Sequence, residues 1–236
     1  MTHLNLLSGG AAQSLVTQLE QRFEAENHCT LDASFGAVGM MKDSLLAGAA
    51  CDVIILTESL IHQLADSGEV ARASVQALGV IKTGIAVKTG DVAPLAANKA
   101  EFKASLQAAN GIYFPDPVKS TAGVHFMQVL AQLGLETELA SRLHAFPNGA
   151  TAMAAMAEAT GSGFIGCTQL TEILYTDGVE LIAPLPVEFE LATVYSAAVC
   201  TRSTEPTAAG RLVSLLTSPE TAALRSACGF EAASVP

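Results

Sequence analysis

Four short stretches place small residues where a strand hands over to a helix. They are Ser8-Gly9-Gly10-Ala11, Ala37-Val38-Gly39, Ser120-Thr121-Ala122-Gly123 and Asn148-Gly149-Ala150-Thr151. Residues this small cannot cover the first-turn N–H groups of a helix. Those groups have no intrahelical partner and lie at the positive end of the helix dipole, so such a turn can hold an anion without a cationic side chain. The chemistry expected of these stretches is therefore anion binding by backbone amides, helped by the hydroxyls of Ser8, Ser120, Thr121 and Thr151.

Each stretch also has a plainer reading. Ser8 and Asn148 suit helix caps, and Ala37, Val38 and Gly39 offer only amides beside a small apolar wall. Groups able to move a proton or attack a carbon are few and scattered: Cys167, followed by Thr168, at a strand end, His125, Asp116 and Tyr113. A buried thiol is inert, a histidine one turn inside a helix is commonly satisfied there, and an aspartate between prolines caps its turn. Lys119 could offset a ligand's charge or simply be solvated. The Met153/Met156 spacing reads as core packing, and Glu188 and Glu190 as structural charges.

The elements around these stretches alternate. Leu4–Leu7, Thr30–Phe35 and Asp52–Leu56 read as strands. They are followed by helices with Leu15, Leu19 and Phe23, with Met41, Leu45 and Leu46, and with Thr57-Glu58-Ser59 as the start. This β-α-β-α-β-α order predicts a parallel sheet with helices on both faces. The pattern changes near Gly79, where Val80–Val87 reads as a strand followed by a loop from Thr89 to Asn98.

A second βα series begins with a helix over Lys99–Ala109 and the strand Gly111–Phe114. It continues through a helix reaching Gly134, an Ala/Met helix after Pro147, the strand-to-helix turn Gly163–Gln169 and the strand Val179–Ala183. Phe189–Cys200 is a long β-rich run, and Thr207–Cys228 is helical. The layout predicts an α/β chain of two lobes, 1–80 plus 198–236 and 81–197, joined by crossing strands near 80–88 and 189–199. The ligand is expected at the carboxyl ends of the strands, in the cleft between lobes, with hinge closure completing the site.

Composition narrows the function. Of 236 residues, 50% are hydrophobic and 15% charged, with a formal net charge of −11, which excludes disorder and disfavours polyanionic partners such as nucleic acid. No apolar run is long enough to insert in a membrane. The N-terminus lacks a signal-peptide pattern, and the five cysteines form an odd set without Cys-x-x-Cys spacing. Reduced thiols in a cytoplasmic protein are the expectation, or a periplasmic one if a leader has been trimmed. No pattern calls for a metal or a cofactor, and oligomeric state is left open.

The order of these turns resembles the periplasmic molybdate-binding protein family, the type II solute-binding fold of ABC importers. The resemblance rests on Leu4–Ala12, on Ser34-Phe35-Gly36 before a helix, on Leu46-Ala47-Gly48-Ala49-Ala50-Cys51-Asp52-Val53, and on Asp116-Pro117 through Thr121-Ala122-Gly123. It implies a two-lobe fold, a small anionic ligand and an ABC permease as partner. It implies contacts from the four stretches and from the Gly166-Cys167-Thr168 region. The family's two serine hydroxyls fall at Ala11 and in Ala37-Val38-Gly39, and its tyrosine is replaced near Gly166, so a small organic carboxylate is expected over molybdate. An aconitate isomerase is similar to the same family. That makes a cofactor-free isomerase of a small polycarboxylate the alternative.

Overall fold

A computed structural model describes residues 2–233. In chain order the elements are β1 (Thr2–Gly9), a 3-10 turn over Gly10–Ala12, α1 (Gln13–Asn27), β2 (Cys29–Gly36), α2 (Val38–Leu46), β3 (Val53–Thr57) and α3 (Glu58–Asp66). Then come β4 (Gln76–Lys88), α4 (Lys99–Ala108), β5 (Gly111–Pro115), α5 (Thr121–Leu133), α6 (Glu136–Leu139), β6 (Leu143–Phe146) and α7 (Gly149–Glu158). The chain ends with β7 (Phe164–Gln169), α8 (Leu170–Tyr175), β8 (Val179–Pro184), β9 (Ala192–Val199), α9 (Pro206–Thr217) and α10 (Ala222–Ala227).

Two compact units result. One runs up to Ile81 and resumes at Thr193; the other is Lys82–Ala192. The chain therefore crosses between them twice, within β4 and within β9. In the first unit the strand order is β2-β1-β3-β9, with β1 parallel to both neighbours and β9 antiparallel to β3. In the second it is β4-β7-β5-β6. There β5 is parallel to β6 and β7, while β4 runs antiparallel to β7 and also pairs with β8.

The packing follows from the apolar pattern. All five residues of β3 are buried, as a central strand between two helical layers requires. Helix α1 buries Leu15, Leu19 and Phe23 on one face. They join Leu4, Leu6, Ile54 and Leu212 in the core of the first unit. Helix α5 buries Phe126, Val129, Leu130 and Leu133 against Ile112, Phe114, Ile165 and Cys167, and stops at Gly134, whose φ of 69° is the left-handed cap a glycine adopts freely. On the other face of that sheet, Met153 and Met156 of α7 pack with Tyr113 and Ile173, which confirms their reading as core.

Three elements depart from the sequence reading. Strand β6 was not anticipated, because Leu143-His144-Ala145-Phe146 is a short edge strand with no residue fully buried. The run from Phe189 is extended only from Ala192, since Val187–Phe189 closes a 3-10 turn after Pro186. The C-terminal helical segment is cut in two at Ser218-Pro219, where proline starts a new turn.

All five cysteines are buried thiols. Two of them meet in the first unit: the Cys200 thiol donates to Cys51 Sγ at 3.4 Å. That donation holds Cys51 below the usual thiol range and Cys200 far above it. Cys51 adjoins the exposed turn 46–50, so its thiolate is the one a small disulfide would reach first. Incubation with oxidised glutathione should proceed by attack of the Cys51 thiolate, with release of one glutathione thiolate, then displacement of the second by Cys200. Mass spectrometry should show the loss of two hydrogens with no retained glutathione, and the apparent melting temperature should rise by several degrees through a gain on the order of 2–5 kcal/mol. In Cys200→Ser, only the mixed disulfide should form.

Candidate functional site

In the first unit, register aligns Gly9 with Gly36 and Ser8 with Ile55, while Thr57 lies opposite Tyr195 of β9. The carboxyl ends of β1, β2 and β3 therefore lie side by side. The 3-10 turn after β1 and helix α2 both begin there, and neither start has a side-chain cap. Gly9, Gly10, Ala11, Ala12, Ala37 and Val38 are buried and Gly39 is half-buried. A Cβ on Gly9 would stand 2.8 Å from Val38 Cγ1 and 3.1 Å from Tyr195 Cε1, so the first two stretches and the tyrosine ring are in contact.

Ser8 is fully buried, and its hydroxyl donates to the Gly9 carbonyl at 2.9 Å. The first unit thus presents amides of two adjoining helix starts beside an apolar wall of Ala11, Val38 and Tyr195. Tyr195 escaped the sequence reading. Its alternation with Ala197 and Val199 in β9 was the available signal.

In the second unit, α5 starts at Ser120, whose side chain accepts weakly from the Gly123 amide at 3.5 Å. The amides of Thr121 and Ala122 have no side-chain cap. Asp116 Oδ1 accepts from the Val118 and Lys119 amides at 2.7 and 2.8 Å and is the turn's own cap. A Cβ on Gly123 would lie 2.1 Å from the Asp116 carbonyl oxygen, so only glycine lets the helix start this close to the turn.

The start of α7 is different, and the structure corrects the expectation that Asn148–Thr151 is open to a ligand. Asn148 Oδ1 accepts from the Thr151 amide at 2.8 Å and from its hydroxyl at 2.9 Å. The Gly149 amide donates to Glu172 Oε1 at 3.1 Å, and the amides of Ala150 and Gln169 also favour that carboxylate. Thr168 Oγ1 donates to Glu172 Oε2 at 2.5 Å. The acceptor at this helix start is the protein's own Glu172 carboxyl. A lone acidic residue inside the apolar stretch Leu170–Leu174, four positions after Thr168, was the signal for it.

The proton-transfer candidates are committed elsewhere. Cys167 is fully buried in the core, where desolvation pushes its thiol well up. His125 Nε2 lies 2.7 Å from the Phe189 carbonyl oxygen and donates to it. Tyr113 is 8% exposed and stacks with Phe146, with His144 and the edge of Phe164 also against its ring. Among the described residues no cluster of three metal-ligating side chains occurs.

Burial raises the Glu172 pKa above its ordinary value, with the Thr168 and amide hydrogen bonds opposing the shift. A carboxyl that binds its proton more tightly when folded contributes most to stability below its unfolded pKa. That contribution is lost as pH rises through the folded value. Urea denaturation over a pH series should show wild type losing stability relative to Glu172→Gln as pH rises above the usual carboxylate range. Gly149→Ala should destabilise by about 3 kcal/mol or more, because its Cβ would lie 2.0 Å from both Glu172 Oε2 and Thr168 Oγ1.

The family model for bacterial extracellular solute-binding proteins matches residues 4–231. An aconitate isomerase from a Pseudomonas species is 26% identical over 228 residues, covering 94% of this chain and 85% of that one. The periplasmic molybdate-binding protein of Azotobacter vinelandii superposes with a TM-score of 0.80 at 19% identity, covering 99% of each chain. The sulfate-binding protein SubI of Mycobacterium tuberculosis gives 0.78 at 15% identity, covering 99% of this chain and 88% of that one. These likenesses agree with the alternating strand-helix order and with helix starts at the strand ends, and the chain belongs to the bacterial extracellular solute-binding protein family.

Proposed function

We propose that the protein is a solute-binding protein for a small organic carboxylate, held by uncapped amides where a helix starts at the carboxyl end of a strand. The observation that carries this reading is the absence of side-chain caps at the starts of the 3-10 turn after β1 and of α2, although the residues there are buried. Buried amide donors without acceptors cost free energy unless something meets them. An anion does so, and the dipoles favour it.

The same geometry favours a carboxylate over a tetrahedral oxyanion. Four charged oxygens need many donors, and the Ser8 hydroxyl is spent on the Gly9 carbonyl while Ala11 and Val38 have none. The apolar wall suits a carbon skeleton. In this role an ABC permease is the partner that takes the ligand onward.

Thermal-shift measurements against malate, citrate, aconitate, molybdate, sulfate and phosphate test the reading. An organic acid at a hundred times its Kd should add about 2.7 kcal/mol of stability, seen as a rise of several degrees. Shifts from molybdate and sulfate alone would overturn it. Thr121→Pro tests the amide itself, since proline is tolerated at a first helical position and Ser120 already has extended backbone, φ −98° and ψ 134°. It should weaken binding of that acid about tenfold or more, with little change in unliganded stability.

The similarity to an aconitate isomerase over 94% of the chain supports a second reading, a cofactor-free isomerase of a small polycarboxylate. Against it stand the commitments of Cys167, His125, Asp116 and Tyr113 described above. Incorporation of solvent deuterium into trans-aconitate, followed by NMR, distinguishes the two; none is expected.

A further inference from the structure

Strand β7 ends in a group of buried polar side chains with no partner. Gln169 is 2% exposed, and Thr83 and Thr171 are each 1% exposed. Among the described residues, Gln169 Oε1 and Nε2, Thr83 Oγ1 and Thr171 Oγ1 make no hydrogen bond. All four atoms belong to the Lys82–Ala192 unit.

Their placement follows from register. Gln169 lies opposite Thr83 in the antiparallel β4–β7 pair, and directly opposed residues share a face with Cβ atoms about 5 Å apart. On that face of β7, Ile165 and Cys167 precede Gln169 and pack in the core with Phe126 and Leu130 of α5; on β4, Ile85 does the same. The apolar row thus becomes polar at the carboxyl end of β7. Helix α5 follows β5, which runs parallel to β7, so the uncapped amides of Thr121 and Ala122 lie at this same end of the sheet.

Among the described residues, the other buried side-chain oxygens without a partner are Thr193 Oγ1 and Ser196 Oγ, both in the first unit. Thr168, one residue earlier and on the opposite face, is fully engaged with Glu172. Each unpaired buried group costs roughly 1–3 kcal/mol, and leucine or valine at these positions would avoid the cost. A group met only when a ligand is bound accounts for keeping them.

We propose that Gln169, with Thr83, is a specificity subsite that reads a hydroxyl on the bound acid, so that the preferred ligands are hydroxycarboxylates. A carboxylate only accepts hydrogen bonds; it would satisfy Gln169 Nε2 and leave Oε1 unpaired. An alcohol donates and accepts, and so pairs both ends of the carboxamide or one end and a threonine hydroxyl. Sites built to hydrogen-bond a hydroxyl reject the analogue that lacks it, because their own polar groups are then left unpaired. This inference rests on the proposed carboxylate-binding function.

The test is calorimetric titration of the full chain with two matched pairs, malate against succinate and citrate against tricarballylate. In each pair the members differ by one hydroxyl. Wild type should bind the hydroxylated member of at least one pair tenfold or more tightly. Gln169→Leu should bring that ratio to within about threefold of unity while leaving affinity for the unsubstituted acid within about threefold. Thr83→Val, close to isosteric, should reduce the ratio in the same direction and serves if the leucine variant does not fold. Equal affinities within both pairs in wild type would overturn the subsite and leave the carboxylate reading intact. So would an unchanged ratio in the variants, which would make Gln169 a structural residue that carries a buried water. Failure of all four acids to bind would remove the subsite together with the function beneath it.

Discussion

Every helix that begins at the end of a buried strand leaves donors facing away from its own backbone, and in this protein the disposal of those donors decides what each end of each sheet can do. Three solutions occur. Asp116 and Ser120 cap the approach to α5 but leave its first two amides uncapped. At α7 the protein supplies an acceptor of its own, the Glu172 carboxyl, together with the Asn148 cap. At the first two starts of the other unit no side chain is supplied. The difference lies in side chains only a few atoms long, yet it separates a helix start that is filled from one that is left uncapped.

Close approach is the second part of the same constraint. Gly9, Gly123 and Gly149 each sit where a Cβ would lie within 3 Å of another group: Val38, the Asp116 carbonyl, and Glu172 with Thr168. None of the three has positive φ among the described backbone angles, so conformational freedom is not their reason. They are glycines because the helix start must come close enough for its amides to reach an acceptor. At α7 that acceptor is visible as the Glu172 carboxyl.

Much of this was legible in the sequence. The βα alternation, the Gly134 stop, the Asn148 cap and the turn role of Asp116 all follow from local chemistry, in which a residue's neighbours along the chain fix its partner, whereas Ser8, expected as a cap, spends its hydroxyl on the Gly9 carbonyl. Glu172 stood out only as a lone acid in an apolar stretch; its role at α7 was not legible, because its partner Gly149 is 23 positions away and the pair exists only once α7 and α8 pack. Tyr195 was hidden for the same reason: its contact with Gly9 depends on β9 returning across β3. The orphaned state of Gln169 lies further still from the sequence, since it is defined by what the folded chain fails to bring near.

Charge then limits what the open starts can accept. The chain carries a formal −11, and at α7 the Glu172 carboxyl already takes up the Gly149 amide. Uncapped amides supply partial positive charge, equivalent to about half an elementary charge per helix. A compact dianion such as molybdate or sulfate concentrates two charges within a few ångströms and needs donors around its whole surface. A carboxylate concentrates one, and its remaining polar groups can sit elsewhere along a carbon skeleton. Helix starts that offer amides beside the apolar wall of Ala11, Val38 and Tyr195 match that spread of charge better than they match a point dianion.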